Sequence, residues 1–352
     1  MSDQIVAPET RDLDILAGQL SGWLARRLEG ASDVHIHNLS YPRGAGQSHE
    51  TILFDANWLV HGERVARGLV VRIRPTGHQV FPDTLFEEQY RLMDFLHKDG
   101  RVRVARIYWF EEDATLLGAP FFVMEKKLGR VPVSIPPYRE TGWVAEAAPA
   151  QRAKLWENAV RQMAAVQSVP LEGLGFLRGA TPDTREGLAQ EWDKYRRFIA
   201  WAANAELRPV LEAGMARLEK SWPKNQPPGL VWGDARIGNM MFGDDFDVVA
   251  VMDWEQPSLG GALHDLAWFL VNSSAMHGAS ASQPPLAGMG SRAETIALWR
   301  EITGIPADEL EWYEEFTILK YSCCSLSTAK LGRYPLASPA EFAKRLKVAL
   351  PR

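Results

Sequence analysis

Between residues 11 and 29 the apolar side chains Leu13, Ile15, Leu16, Leu20, Trp23, Leu24 and Leu28 recur near helical spacing, which predicts an amphipathic helix stopping before Gly30. The period then shortens. Val34 to Leu39 and His49 to Leu59 read as strands, separated by Tyr-Pro-Arg-Gly-Ala-Gly-Gln-Ser. Leu69 to Arg74 reads as a third, rich in β-branched bulk and ended by Pro75, which cannot donate to a ladder. Helical spacing returns over Thr84 to Lys98, where Leu85, Leu92, Phe95 and Leu96 share a face. Two further strands are expected at Val104 to Phe110 and Phe121 to Met124, joined by the polar turn Glu111-Glu112-Asp113. Strands, one main helix and more strands predict a small α+β lobe over residues 1–125.

The proline-rich run Gly129 to Gly142 reads as an irregular connection, and a mainly helical lobe is expected over residues 126–352. Its predicted helices are Gln151 to Gln167, most of Leu188 to Leu218, Ala293 to Ile302, Leu310 to Ser327 and Ala340 to Leu350. Pro227-Pro228-Gly229 breaks the chain, and two short strands around Met240-Met241-Phe242 and Val248 to Met252 flank a turn.

Composition narrows the function classes. With 352 residues, 46% of them hydrophobic and 24% charged, the chain has the make-up of an ordinary globular protein of one or two domains. A formal charge of -5 argues against a broad nucleic-acid surface, which would be cationic. No run of eighteen apolar residues predicts a membrane span, and the polar opening lacks the usual form of a secretory signal. The two cysteines, Cys323 and Cys324, are adjacent and cannot staple so long a chain, which fits a reducing, cytoplasmic setting. Neither a nucleic-acid nor a membrane partner is expected, and the oligomeric state is left open.

The chemistry-bearing string is Leu230 to Phe242 followed by Val248 to Glu255. In it Asp234, Asn239 and Asp253 stand at the edges of short apolar strands. Asp, Asn and phosphate oxygens make a suitable shell for Mg2+, and phosphoryl transfer also needs a carboxylate to orient an acceptor hydroxyl. The same residue types also cap helices and end strands for local reasons.

This string resembles the aminoglycoside phosphotransferase-like (choline-kinase-like) branch of the protein-kinase superfamily. There His-Gly-Asp, four residues and Asn are followed, after a hairpin, by an apolar strand and Ile-Asp-Trp-Glu. The match runs from Gly233 to Glu255 and resumes over Gly261 to Leu266. Trp-Gly-Asp-Ala-Arg is similar to a bacterial subgroup close to the domain fused to some acyl-CoA dehydrogenases. The resemblance implies a bilobal kinase-like fold, with an amino-terminal antiparallel sheet lobe and a larger helical lobe, and ATP and Mg2+ as cofactors. It implies Asp234 as the catalytic-loop carboxylate, Asn239 and Asp253 as metal ligands, and Asp265 as a structural brace. Trp232 departs from the family's histidine, an indole keeping one donor but losing the imidazole acceptor. Arg236 reads either as a holder of a phosphate or acidic acceptor or as a surface arginine.

Within that frame Gly44, Ala45, Gly46, Gln47 and Ser48 form the nucleotide-covering loop, although two glycines can also simply serve a turn. Arg72 takes the place of the strand lysine that grips phosphates, with Arg74 on the same face by period two. Glu88, or else Glu87, would brace it, and Phe122 to Lys126, including Glu125, would form the hinge that reads adenine. Trp192, Tyr195, Arg196, Arg197, Trp201 and Tyr321 are possible walls for a small hydroxylated acceptor. The expected activity is transfer of the terminal phosphoryl group of ATP to that hydroxyl. A nucleotide-binding pseudokinase or regulatory protein is the alternative, and a metal-dependent hydrolase a third class.

Overall fold

The computed structural model describes residues 11–42, 49–77, 79–178, 186–278, 284–330, 332 and 335–350. The Gly44–Ser48 loop expected to cover a nucleotide lies outside them. The amino-terminal part opens with helix α1 (Leu13–Arg27), whose first turn is capped by the Asp12 side chain accepting from the N–H groups of Asp14 and Ile15. Strands β1 (Ala31–Ser40), β2 (Glu50–Val60) and β3 (Glu63–Ile73) follow, then α2 (Phe86–Asp99), β4 (Ile107–Glu111), a short α3 (Ala114–Leu117) and β5 (Phe121–Glu125). The strands form one antiparallel sheet in the order β1-β2-β3-β5-β4.

β3 begins six residues earlier than its apolar run, at Glu63. His61 and Gly62 both take positive φ (51° and 83°), a two-residue turn that pairs Val60 with Glu63 and carries the polar half of β3 into the sheet. The stretch after β4 is not a tight turn either: Asp113 caps α3 by accepting from Thr115 N–H.

Alternation sorts the faces of the sheet. Ile52, Phe54, Leu69, Val71, Ile73, Phe121 and Val123 pack with Leu16, Leu20, Trp23 and Leu24 of α1. Leu53, Val70 and Arg72 therefore share the opposite face. The second lobe holds α4 (Trp143–Glu146), α5 (Pro149–Ala165), α6 (Leu188–Ala202), α7 (Arg208–Glu219), the hairpin β6 (Met240–Phe242) and β7 (Val248–Val251), then α8 (Leu263–Met276), α9 (Arg292–Thr303), α10 (Leu310–Lys330) and α11 (Pro339–Leu346). Its core is continuous with Phe86, Leu92, Met93 and Leu96 of α2 and Phe122 of β5. By packing, α2 is a shared wall between the two lobes. Among the described residues no helix is long and apolar enough to cross a membrane.

Backbone contacts stitch the lobes at two points beside the hairpin. Arg130, in the connection, exchanges both backbone hydrogen bonds with Phe242 (2.8 and 2.9 Å), and Val251 N–H donates to the Arg103 carbonyl at 2.6 Å. The connection is also latched to the end of α8. Tyr138 and His277 are both buried, and the Tyr138 hydroxyl lies 2.6 Å from His277 Nδ1. Burial pushes the imidazole down to about 4, so the ring that shares this hydrogen bond with the phenol is neutral. A histidine that binds its proton more weakly when folded makes stability rise with pH. Its contribution is complete above its unfolded value of 6.5 and is lost as pH falls toward about 4. The expected loss is about 3 kcal/mol from this group. Denaturant unfolding at pH 7, 5.5 and 4 should show a steeper acid decline for wild type than for His277→Gln, and parallel declines would reject the assignment.

Candidate active site

Helix α8 anchors the loop that carries Asp234. Asp265 is 1% exposed and accepts from two successive backbone N–H groups, Trp232 (2.7 Å) and Gly233 (3.0 Å). Burial pushes its carboxyl up to about 6, against the pull of those donors. Gly233 has φ +101°, and an added Cβ would stand 2.6 Å from the Gln256 carbonyl oxygen, so the bend requires glycine. Trp232 is fully enclosed. Its Nε1 donates to the Met252 carbonyl at 2.8 Å, tying the loop to the residue just before Asp253.

Asp234 is surrounded by donors. Trp268 Nε1 reaches Oδ1 at 2.8 Å, Asn239 Nδ2 reaches Oδ2 at 2.6 Å, and Arg236 Nε lies 3.2 and 3.0 Å from the two oxygens. Arg236 also donates to Ser134 Oγ at 2.9 Å, bridging to the connection, so it is not a surface arginine. Asn239 sits at the foot of β6, where its carbonyl accepts from Met252 N–H at 2.9 Å.

Asp253 follows β7 with φ 64°, a left-handed conformation of the kind that clusters at functional sites. Its side chain is 37% accessible, 4.0 Å from Arg72 Nη2. Burial and the neighbouring Glu255 and Asp234 hold its carboxyl well above the usual range, while Arg72 pulls the other way. Arg72 itself is nearly enclosed, with Nη2 2.6 Å from Glu255 Oε1, and His49 Nδ1 is 2.9 Å from the same oxygen. Arg74 leaves the end of β3 toward Thr84 Oγ1 (3.4 Å), so of the two same-face arginines it is Arg72 that faces Asp253.

The expected brace for Arg72 is corrected: its acid is Glu255, and among the described residues no ion pair joins it to Glu88 or Glu87. The packing face of α2, Phe86, Gln89, Leu92, Met93 and Leu96, sets the helix's rotation and turns Gln89 inward; Glu88 is left half-buried and Glu87 exposed, 3.7 Å from Arg91. At the expected hinge, the N–H groups of Glu125 and Lys126 are spent on the carbonyls of Arg106 (2.8 Å) and Gly68 (3.0 Å). The Glu125 carboxylate accepts from Arg106 N–H and pairs with Lys127 at 2.9 Å. Among the described residues the next backbone donor along the chain without a partner is Lys127, where a base edge would find it.

The acceptor walls divide. Tyr321 stacks on Trp268 (centroids 4.2 Å apart, planes at 23°) and takes a hydrogen bond from Asn272 Nδ2 at 3.1 Å. Tyr195 is buried, and its hydroxyl is pushed up chiefly by burial, with the Asp234 charge among the lesser causes. Trp192, by contrast, packs among Trp222, Trp312 and Phe316, and Arg196 is an exposed helix charge 3.1 Å from Asp193. Arg197 pairs with Asp83 at 3.1 Å, and Trp201 is exposed. Glu191 is buried, accepting from Lys320 Nζ (2.5 Å) and Ser258 Oγ (2.7 Å). Lys194 holds the Gln256 carbonyl at 3.0 Å, so this cluster braces the segment after Asp253 from behind.

The donor set fits Mg2+. Asn239 spends Nδ2 on Asp234, which leaves Oδ1 for a cation, and Asp253 adds a carboxylate crowded by two other acids. Both are hard oxygen donors. Among the described residues no three His, Cys, Asp or Glu side chains make a metal site by themselves, so phosphate oxygens and water would complete the shell.

Known proteins are similar to this chain in sequence or in fold. The chain is 28% identical over 204 residues to acyl-CoA dehydrogenase family member 10 of Mus musculus, covering 57% of this chain and 18% of that protein. It is 24% identical over 326 residues to the probable acyl-CoA dehydrogenase IBR3 of Arabidopsis thaliana, covering 87% and 38%. The chain thus spans well under half the length of these curated relatives. Among solved structures, a Ralstonia eutropha protein provisionally described as an aminoglycoside phosphotransferase superposes with a TM-score of 0.65 at 22% identity, covering 94% of each chain. A thermostable aminoglycoside phosphotransferase APH(4)-Ia, in complex with ADP and hygromycin B, superposes at 0.56 with 13% identity over 94% and 97%. These structural likenesses establish the bilobal kinase-like α+β fold. The family model for the phosphotransferase enzyme family matches residues 52–305, which takes in the sheet from β2 onward, the Asp234 loop and the hairpin to Asp253, and this chain belongs to that family.

Proposed function

We propose that the chain is an ATP- and Mg2+-dependent kinase that phosphorylates a hydroxyl group of a small organic molecule. The observation that carries this reading is the convergence of Asp234, Asn239, Asp253 and Arg72, from three separate segments, on one another. In the reaction the acceptor oxygen attacks the terminal phosphorus, the bond from that phosphorus to the bridging oxygen breaks, and ADP leaves with the bonding pair. Asp234 orients the hydroxyl and accepts its proton late in the step. Arg72 grips phosphate oxygens while Glu255 holds its guanidinium in place. Mg2+, when held by Asn239 and Asp253, neutralises charge on the phosphates.

The surroundings of Asp234 favour a neutral or anionic acceptor over a polycation. Its charged neighbour on the loop is Arg236, and the acid Glu191 is locked in a buried lysine pair. Relatives named as acyl-CoA dehydrogenases place hydroxy acids and hydroxyacyl thioesters first among acceptors to test.

The test is ADP release from ATP with a panel of hydroxy acids, hydroxyacyl thioesters, amino alcohols and aminoglycosides, with and without Mg2+, and products weighed by mass spectrometry. A Mg2+-dependent product heavier by one phosphoryl group is expected. Nucleotide binding with no transfer to any acceptor would point instead to a pseudokinase.

A further inference from the structure

We infer that Trp268 is a positioning residue for phosphoryl transfer, its indole N–H fixing the orientation of the Asp234 carboxylate. This rests on the proposed role of Asp234 as the group that accepts the acceptor's proton.

Helix α8 is apolar almost all round, and a tryptophan in the run Leu-His-Asp-Leu-Ala-Trp-Phe-Leu would ordinarily be read as core. Trp268 is 6% exposed, yet its Nε1 is spent on Oδ1 of a charged side chain at 2.8 Å. A buried indole N–H needs a partner, and filling the same volume with Phe would need none. The position on the helix is also specific. Asp265, Trp268 and Asn272 stand at i, i+3 and i+7, one stripe of α8. Asp265 accepts from the backbone of the Asp234 loop, Trp268 donates to its side chain, and Asn272 holds the hydroxyl of Tyr321, whose ring stacks on Trp268. One helix face therefore sets both the path of the loop and the direction of its carboxylate.

The carboxylate requires such a restraint. The last torsion of aspartate is broad, so its lone pairs are aimed only by the partners around it. Arg236 Nε contacts both oxygens at similar distance and discriminates little between rotations. Asn239 on Oδ2 and Trp268 on Oδ1 come from different elements and together pin the group. With the indole N–H gone the carboxylate can turn, and the acceptor's proton loses its target without any change at the nucleotide.

The experiment compares wild type, Asp234→Asn, Trp268→Phe and Trp268→His. It reads ADP release from Mg-ATP with each member of the acceptor panel named above, binding of a fluorescent ATP analogue, and thermal unfolding. Trp268→Phe keeps a ring against Tyr321 but loses the donor, and should lower kcat by about 10- to 100-fold, with KM for ATP within about twofold of wild type. Trp268→His retains an N–H and should be the more active of the two, whereas a pure packing role would favour Phe. The inference is overturned if Trp268→Phe matches wild type, if His is no better than Phe, or if nucleotide binding falls as far as turnover. An Asp234→Asn protein as active as wild type, or a wild type that releases no ADP, would instead sink the kinase reading on which the inference stands.

Discussion

Replacing Asp253 with Asn should cut turnover by at least about a thousandfold without lowering the melting temperature. The two halves of that result have separate causes. For activity, the substitution removes a hard anionic oxygen from the place where a cation would sit beside Asn239, and an amide oxygen is a poor replacement. For stability, the native carboxylate is a burden: partly enclosed, it faces Glu255 and Asp234, which Arg72, at 4.0 Å, and Arg236 offset in part. Asn carries no charge and tolerates the left-handed backbone at φ 64° better than Ala would. ADP release and thermal unfolding, both measured on the same preparation, check the two halves. A variant that melts several degrees lower would show that Asp253 holds the fold together, and one with near-normal turnover would remove it from the chemistry.

Replacing Arg72 with Met should destabilise the protein by about 3–5 kcal/mol and also abolish tight nucleotide binding. Arg72 and Glu255 are each 7% exposed, so deleting the guanidinium leaves a carboxylate enclosed without its main counter-charge. His49 still reaches that carboxylate, which places the loss toward the lower end. In a chain of this size the melting temperature should drop by about 10 °C. The double variant Arg72→Met with Glu255→Gln should regain most of the stability, because two uncharged side chains of similar volume no longer bury an unmatched charge. It should not regain ATP affinity, since the proposed phosphate grip would still be missing. Equal melting of the single variant and wild type would mean that the pair is not enclosed in solution.

The contrast between Glu255 and Glu88 marks how far the sequence could be read. The order of strands and helices followed from periodicity because each element buries one face, and Asp234, Asn239 and Asp253 stood out as polar residues at the edges of apolar strands. Arg72 was singled out only by the resemblance, as an expected phosphate grip, with Arg74 on the same face left as an alternative. Its partner was not legible: a pair 183 positions apart depends on how α2 is rotated and how the lobes meet, and neither leaves a local signal. Glu255 was in view within the Asp-Trp-Glu string, but nothing in its spacing said that it faces across the cleft. Trp268 was hidden for another reason. An indole in an apolar run serves a core equally well, and only its donor's partner separates the two roles. Trp192 misled in the opposite sense, since a wall and an aromatic core share one composition. The polar half of β3 escaped notice because exposed strand residues show no alternation.

The hairpin of β6 and β7 is short, and a two-stranded ribbon of this size is marginal by itself. Here both outer edges are closed, one by Arg130 on Phe242 and the other by Arg103 on Val251. Asn239 and Asp253 stand at its two feet, flanking the Met240–Val251 pair, so their spacing is the ribbon's register. A slip of one residue would turn every side chain to the other face and carry the two oxygens apart. The hairpin thus behaves as a calliper whose jaws are the two proposed cation donors. Length can vary at its tip, in residues 243–247, without changing the gap, whereas an insertion within either strand would reset it.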